Sequence, residues 1–314
     1  MHDAPLRSND NAVIDVIIPT RNRPNLTLEA VDSVRRQTYP HWRLFVVDDA
    51  SEDDTAERAT EIAREDRRIV VLRRLQRGGS DAARQTGFEQ ASAPLVAILD
   101  SDDLWYADKL KHQLTYWNRM RCRGRELEVL FCRFKYSDLD GRRVVGPWPP
   151  QPWSRRWTPF IIYNTSTPLM SRAALEHVGG FSSPRLRTAD QMDLFLRLTR
   201  NHRVAVVPKV LVRCRHHGGE RNSDGLGSTA AAEEAASLFR VHSDALAGDR
   251  RRRAWLRGWV GGRYLQAGCF EVGVRQLRSA LRDAGVFSGS RMCAHYGPLA
   301  VRGLLGSRRP QRRG

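Results

Sequence analysis

The stretch Leu95-Val96-Ala97-Ile98-Leu99-Asp100-Ser101-Asp102-Asp103 decides how the chain is read, because an apolar run of strand length empties directly into three carboxylates. An unbroken apolar run suits a strand buried on both faces, as in a parallel sheet, better than an alternating edge strand. Upstream, Val13-Ile14-Asp15-Val16-Ile17-Ile18-Pro19, Leu44-Phe45-Val46-Val47 and Ile69 to Leu72 have the same character, and the second of these ends in Asp48-Asp49. Helical patterns separate them. Leu26 to Gln37 spaces Leu28, Val31 and Val34 on one face and is stopped by Tyr39-Pro40. Asp53-Asp54 is placed to cap a helix running to about Glu65, and Asp81 to Gln90 follows the turn Arg77-Gly78-Gly79-Ser80. Strands and helices alternating this strictly predict an α/β fold with a mostly parallel sheet flanked by helices.

Working outward in the other direction, Ala107 to Arg121 reads as a helix. Gly146 to Pro159 carries five Pro and three Trp (Trp148, Trp153 and Trp157) and is expected to be an irregular loop over the site. Pro168-Leu169-Met170, a helix from Arg172 to Val178, the turn Gly179-Gly180-Phe181, a helix from Asp190 to Thr199 and a strand from Val204 to Val212 make a second half. Gly218 to Gly227 has the composition of a hinge. Ala-rich helices are expected at Thr229 to Leu246, Arg251 to Gln266 and Phe270 to Asp283, ahead of a basic tail; the last two are arranged like a single helix-turn-helix repeat.

The formal net charge is +17 over 314 residues. From Arg250 to Gly314 there are 15 Arg against Glu271 and Asp283, so 13 of those 17 charges fall in the last fifth of the chain. That asymmetry argues against a polyanion-binding surface on the α/β portion and for a separate basic appendage. The 5 cysteines (Cys122, Cys132, Cys214, Cys269 and Cys293) form no CxxC pair, which fits neither a disulfide framework nor a zinc cluster and suggests a reducing compartment. No apolar stretch approaches a membrane span and Met1 to Asn11 is unlike a secretion signal, so a cytoplasmic location is expected. The Arg-rich end, interleaved with Trp255, Trp259, Tyr264, Leu304 and Leu305, is suited to peripheral contact with an anionic membrane on its inner face.

Three carboxylates at Asp100, Asp102 and Asp103 repel one another unless a cation sits among them. Oxygen-only ligands favour Mg²⁺ or Mn²⁺, ions that complete their shells with substrate phosphates. The cluster falls at the carboxyl end of a strand, where open parallel sheets bind ligands, and Asp48-Asp49 falls at the end of another. Asp49 is thus a candidate acceptor for a base or ribose. Arg77 and Arg84 are candidates to grip a diphosphate. The competing reading of each acid is a helix cap or a solvated turn.

Several ordered motifs resemble family 2 glycosyltransferases of the GT-A fold. They are Val16 to Arg23, Ser33 to Pro40, Val46 to Ser51 with Asp54-Thr55, Ala83-Arg84-Gln85-Thr86-Gly87, and Leu99 to Trp105. The likeness runs from about Val13 to His217. It implies an N-terminal segment at 1–12, a GT-A domain at 13–217 (nucleotide-sugar half 13–106, acceptor half 107–217), a hinge at 218–228 and a basic helical extension with its tail at 229–314. It further implies nucleotide binding by Pro19, Thr20, Arg21, Asp49, Arg84 and Asp100, and a DXD pair in which Asp102 serves the metal. Arg215-His216-His217 resembles the family's Arg-x-His element, making His217 a second metal candidate. Asp103, Trp105 and Arg215 are candidates for donor or acceptor contacts.

One departure matters. The family usually shows Glu-Asp before x-Asp-Leu, the Asp being the catalytic base, whereas Asp190-Gln191 precedes Met192-Asp193-Leu194 here. Glutamine cannot accept a proton at neutral pH, so Asp190 is the expected base, with Asp193 in reserve. The reaction the resemblance implies is inverting transfer of a sugar from a nucleotide-diphosphate donor, with UDP favoured, to a hydroxyl of a carbohydrate or lipid-linked acceptor in bacterial surface polysaccharide or glycolipid synthesis. A nucleotidyltransferase uses similar acids but is expected to show a Gly- and Lys-rich phosphate loop. A nucleic-acid-binding module fits the charge but not the acids at the sheet edge. A dehydrogenase lacks its GxGxxG after the first strand.

Overall fold

The computed structural model describes residues 11–139, 141, 144–148, 164–181, 190–201, 203–216 and 228–283. They divide into two compact units, one of residues 1–183 and 194–218 and the other of residues 184–193 and 219–314.

In the first unit β1 (Ile14–Thr20), α1 (Pro24–Arg35), β2 (Trp42–Asp48), α2 (Thr55–Glu65), β3 (Ile69–Arg73), α3 (Ser80–Gln90) and β4 (Leu95–Ile98) alternate as expected. β1 is central, hydrogen-bonded in parallel to β2 on one side and β4 on the other, and all 7 of its residues are buried. Its side chains alternate between two cores. Ile14, Val16 and Ile18 pack with Val31, Val34, Leu44, Leu114 and Trp117 on one face. Ile17 packs with Phe45, Val47, Phe88, Val96 and Ile98 on the other. Period-2 alternation with both faces apolar is the reason these strands read as unbroken hydrophobic runs.

The second half adds β5 (Leu104–Trp105), α4 (Lys109–Arg121), β6 (Val129–Asp138), β7 (Val144–Trp148), β8 (Leu169–Ser171), α5 (Arg172–His177), α6 (Asp190–Asn201) and β9 (Val204–His216). The sheet order is β3-β2-β1-β4-β8-β6-β9-β5, with β7 paired to β6. β8 enters antiparallel to β4 and β6, while β6 and β9 run parallel. The sheet is therefore parallel throughout the first half and mixed beyond it.

The segment expected to be irregular from Gly146 onward needs correction over its first residues, since Gly146, Pro147 and Trp148 belong to β7. β7 pairs only with β6 among the described residues, and an edge strand tolerates a Pro whose missing N–H has no ladder partner. Trp153, Trp157, the segment 217–227 and the tail beyond Asp283 lie outside the described residues.

In the second unit α7 (Thr229–Ser243) and α8 (Arg250–Gln266) start on side-chain caps, Ser228 Oγ accepting from Ala231 N at 3.2 Å and Asp249 Oδ1 from Arg252 N at 3.0 Å. A further helix, α9, spans 270–283. α8 and α9 approach closely at two glycines: a Cβ built on either Gly261 or Gly273 would lie 3.0 Å from the other's carbonyl oxygen. Part of the basic charge is spent locally, because Arg253 and Arg257 both reach Asp283 at 3.0 Å. Among the described residues no helix is long and apolar enough to cross a membrane.

Candidate active site

The carboxyl ends of β1, β2 and β4 are tied together by their loops. Two non-glycine residues adopt positive φ there, Asn22 (φ 50) and Ala50 (φ 56), one in the loop after each of β1 and β2. Asn22 N donates to Ser51 Oγ at 2.9 Å, Glu52 N donates to Asn22 Oδ1 at 2.9 Å, and Arg23 N donates to Thr55 Oγ1 at 2.9 Å. Asp53 Oδ1 accepts from Thr55 N at 3.0 Å and so supplies the turn that starts α2. Buried Asp48 accepts from Ser51 N and Ser51 Oγ, which fixes the loop that presents Asp49.

Thr20 ends β1 opposite Asp48, and its hydroxyl meets that of Thr27 at 2.6 Å. Arg21 reaches Glu52 at 2.9 Å, while its buried Nε has no hydrogen-bond partner. Asp49 is 4% exposed and already accepts three donors: Arg74 Nε at 2.9 Å and Gly78 N at 2.9 Å on Oδ1, and Gly79 N at 2.7 Å on Oδ2. The Gly78-Gly79 turn is thereby folded onto the rim of β2, with Gly79 at φ 86.

Past β4, single ligand oxygens of Asp100, Asp102 and Asp103 lie within 4.8 Å of one another. Each acid has a different setting. Asp100 Oδ1 accepts from Arg84 Nη2 at 2.7 Å and Oδ2 accepts from Thr165 Oγ1. Asp102 Oδ2 accepts from Arg23 Nη1 at 3.0 Å. Asp103 turns inward, accepting from Ser166 Oγ at 2.6 Å, Asn164 Nδ2 at 3.3 Å and Arg215 N at 3.2 Å. Burial first, and then the charges of Asp102 and Asp100, push the Asp103 carboxyl up to about 8, although Ser166 and the Arg215 amide oppose the shift. Three acids held this close, with only oxygen donors, fit a hard divalent cation. Asp100 and Asp102 are the two whose side chains keep an open face, at 22% and 18% exposure.

Several expected contacts are placed differently. Arg84 is 2% exposed and is bound by Asp81 at 2.6 Å as well as by Asp100, so what it does at the rim is to hold Asp100 in place. Trp105 is a core residue: its Nε1 donates to Ser166 O at 2.8 Å and its ring lies under Lys109 Nζ at 3.9 Å. An indole locked in this way is not presented to donor or acceptor. Arg215 is 4% exposed, donates from Nε to Asp102 O at 2.6 Å and pairs with Glu29, so it holds the acidic loop from behind. His217 lies outside the described residues, and Asp190 is described only as the first residue of α6.

The motif residues that are not at the rim turn out to support it. Ser33 Oγ accepts from Trp105 N at 3.2 Å, and Gln37 donates to Tyr106 O at 2.9 Å while accepting from Leu110 N at 3.0 Å. Gln113 bridges Leu130 O and Thr167 O. Gly179 and Gly180 take φ 83 and 72, and a Cβ on Gly180 would meet Gln85 Oε1 at 2.5 Å, the atom that accepts from Phe181 N. In the second unit, buried Asp193 meets His242 Nε2 at 2.9 Å; the carboxylate can only accept, so the imidazole N–H donates. Sequence reasoning missed Arg74 and His242, both of which look like surface charges in the sequence.

Residues 15–164 match the family model described as Glycosyl transferase family 2. An Escherichia coli relative, UDP-Glc:alpha-D-GlcNAc-diphosphoundecaprenol beta-1,3-glucosyltransferase WfgD, is 37% identical over 137 residues, 44% of this chain and 51% of its own length. Against other curated glycosyltransferases the aligned stretch covers as little as 17% of the relative. Among solved structures, S. aureus TarS 1–349 in complex with UDP-GlcNAc superposes with a TM-score of 0.58 at 20% identity, covering 93% of this chain and 79% of that one. The mannosyltransferase PcManGT of Pyrobaculum calidifontis, in complex with GDP-Man and Mn²⁺, gives 0.58 at 18% identity, covering 92% and 80%. At such identities the likeness is one of fold, and the fold is GT-A.

Proposed function

With residues 15–164 forming a family 2 glycosyltransferase domain, we propose that the chain is an inverting, divalent-metal-dependent enzyme. It moves a sugar from a nucleotide diphosphate, UDP in the first instance, to a hydroxyl of a carbohydrate or lipid-linked acceptor in bacterial surface polysaccharide or glycolipid synthesis. The observation that supports this most is the meeting of acids from separate strands at one rim: Arg23 links the β1 loop to Asp102 past β4 and to Thr55 past β2.

Asp100 and Asp102 are the residues that would hold the ion, with His217 as a further candidate. A bound Mg²⁺ or Mn²⁺ supplies Lewis acidity that stabilises the negative charge of the departing diphosphate. The chain's own residues do the rest. Pro19, Thr20, Arg21 and Asp49 shape the nucleoside end, and Arg23, Arg84 and Arg215 hold the acidic loop in register. Orientation of that kind is worth several kcal/mol of barrier in general.

Asp190 takes the proton from the attacking acceptor hydroxyl, which approaches the anomeric carbon opposite the leaving group and inverts it. Asp193 is less suited to that task, being buried and engaged by His242. Asp190→Asn is expected to lower kcat by about a hundredfold or more; full turnover in this variant would refute the assignment. The reaction class is tested with a panel of nucleotide sugars and Mn²⁺. Release of nucleoside diphosphate with an inverted product anomer is expected, whereas pyrophosphate release would establish a nucleotidyltransferase instead. In this reading the protein works on the cytoplasmic side, with the basic C-terminal region touching anionic membrane. Cosedimentation with phosphatidylglycerol vesicles that is lost at high salt is expected, and no cosedimentation at low salt would remove that contact.

A further inference from the structure

α6 is held differently along its length. From Leu194 onward it is pinned by packing and by one arginine: Leu194, Phe195 and Leu198 join an apolar core, and the Phe195 ring meets Phe131 edge to face with centroids 5.3 Å apart. Arg197 Nη1 donates to Val178 O at 2.6 Å and Gly180 O at 3.0 Å. The first turn, Asp190 to Asp193, groups instead with the C-terminal helices. There Asp193 Oδ1 accepts from His242 Nε2 at 2.9 Å, and both side chains are buried.

His242 stands out on α7. The other buried residues of that helix are Ala231, Ala232, Ala235, Ala236 and Leu238, all apolar, and the positions 231, 235, 238 and 242 recur as one helix face. A polar group buried on such a face must be hydrogen-bonded or bear its desolvation cost. Its partner lies in the first turn of α6, where the helix dipole favours an acid, while His242 lies in the last turn of α7, where the opposite pole favours an imidazole. The contact therefore joins two helix ends whose dipoles suit it.

Asp190 precedes Asp193 by one turn, and positions three apart on a helix are surface neighbours. Whatever fixes Asp193 thus fixes the turn on which Asp190 stands. We propose that His242 is a positioning residue for the transfer step, holding the first turn of α6 through Asp193 and so setting where Asp190 stands when the acceptor hydroxyl gives up its proton. A general base must come within hydrogen-bond reach of that proton. Misplacement by about 1 Å costs on the order of a hundredfold in rate. The C-terminal helices then serve the chemistry as well as carrying the basic charge. The inference rests on the reading of Asp190 as the base.

The test measures release of nucleoside diphosphate from UDP-Glc, UDP-GlcNAc and GDP-Man with Mn²⁺, together with calorimetric titration by UDP and GDP, on the full chain and its variants. His242→Leu is expected to lower kcat by about tenfold or more while nucleoside diphosphate affinity stays within about twofold of the wild type. His242→Gln, whose amide N–H reaches about as far as the imidazole Nε2, is expected to return kcat to within about threefold of the wild type. His242→Asn has a shorter amide, is expected to lose as much as His242→Leu, and serves where His242→Leu does not fold. Asp193→Asn keeps an acceptor for the imidazole N–H and is expected to fall less than Asp190→Asn. Wild-type kcat in folded His242→Leu would overturn the proposal and leave the transferase reading intact. A loss that His242→Gln does not restore would make His242 a packing residue of α7 and overturn it equally. Asp193→Asn falling as far as Asp190→Asn would make Asp193 the base itself, which also overturns it. Full turnover in Asp190→Asn, or no nucleoside diphosphate released by the wild type from any of the three donors, would overturn the underlying reading and this inference together.

Discussion

The two ends of the parallel strands handle carboxylates in opposite ways. Near the start of β1, Asp15 is fully buried and saturated: Arg43 donates at 2.9 and 2.8 Å, and the amides of Ser92 and Ala93 each donate at 2.7 Å. At the far end, Asp100, Asp102 and Asp103 crowd within 4.8 Å, and the mutual charge contributes to raising Asp103. One buried acid with four donors is a structural clamp that joins β1, β2 and the turn before β4. Three acids this close repel one another, a setting in which a divalent cation would be favoured. The contrast separates an acid saturated by donors from acids crowded together within one sheet.

Neutralising an acid at each end should break the comparison if it is wrong. Asp102→Asn is expected to cut turnover by about a hundredfold or more, with a melting temperature close to the wild type, because the repulsion removed offsets the weakened Arg23 contact. Asp15→Asn is expected to do the reverse. It takes the anion from half-exposed Arg43 and weakens the acceptor of the Ser92 and Ala93 amides, at a cost of about 1–3 kcal/mol of stability. Specific activity of the molecules that remain folded should be unchanged. Denaturant titration and initial rates on the same samples distinguish the two; equal losses in both variants would erase the distinction drawn here.

Much of the first half was legible because its signals are local. Apolar runs mark β1, β2 and β4, and the acids that follow β2 and β4 locate the rim. β6 was not read as a strand, since after Phe131 its residues alternate between buried and partly exposed, and Arg133 and Lys135 interrupt the apolar run. The resemblance drew attention to Ser33, Gln37 and Trp105, but a motif does not reveal depth. All three are buried and brace the acidic loop from beneath. Arg74 was invisible for the converse reason: Arg73, Arg74 and Arg77 look alike in sequence, and only the fold brings one of them onto Asp49. Pairings across 25 or more residues carry no periodicity.

Lys109 sharpens the contrast further, because it is as buried as Asp15 and has no acid partner among the described residues. Its ammonium donates to Gln113 Oε1 at 2.7 Å and sits over Trp105, beside the acidic loop's support. Burial pulls its pKa from 10.5 down to about 8, against a small opposing pull from Cys132. Between about pH 8 and 10.5 the unfolded chain therefore holds a proton that the folded chain has released. Stability contributed at this position rises with pH across that window and is lowest below it. The full span is about 3 kcal/mol at 1.36 kcal/mol per unit. Lys109→Met keeps the stem and removes the charge, so its stability relative to wild type should be greatest at pH 7 and fall by up to about 3 kcal/mol by pH 10.5. Thermal unfolding of both proteins from pH 7 to 10.5 measures this directly. A difference that does not vary with pH would mean the ammonium is well solvated by its neighbours, and the charge beneath the catalytic rim would then be a clamp of the Asp15 kind.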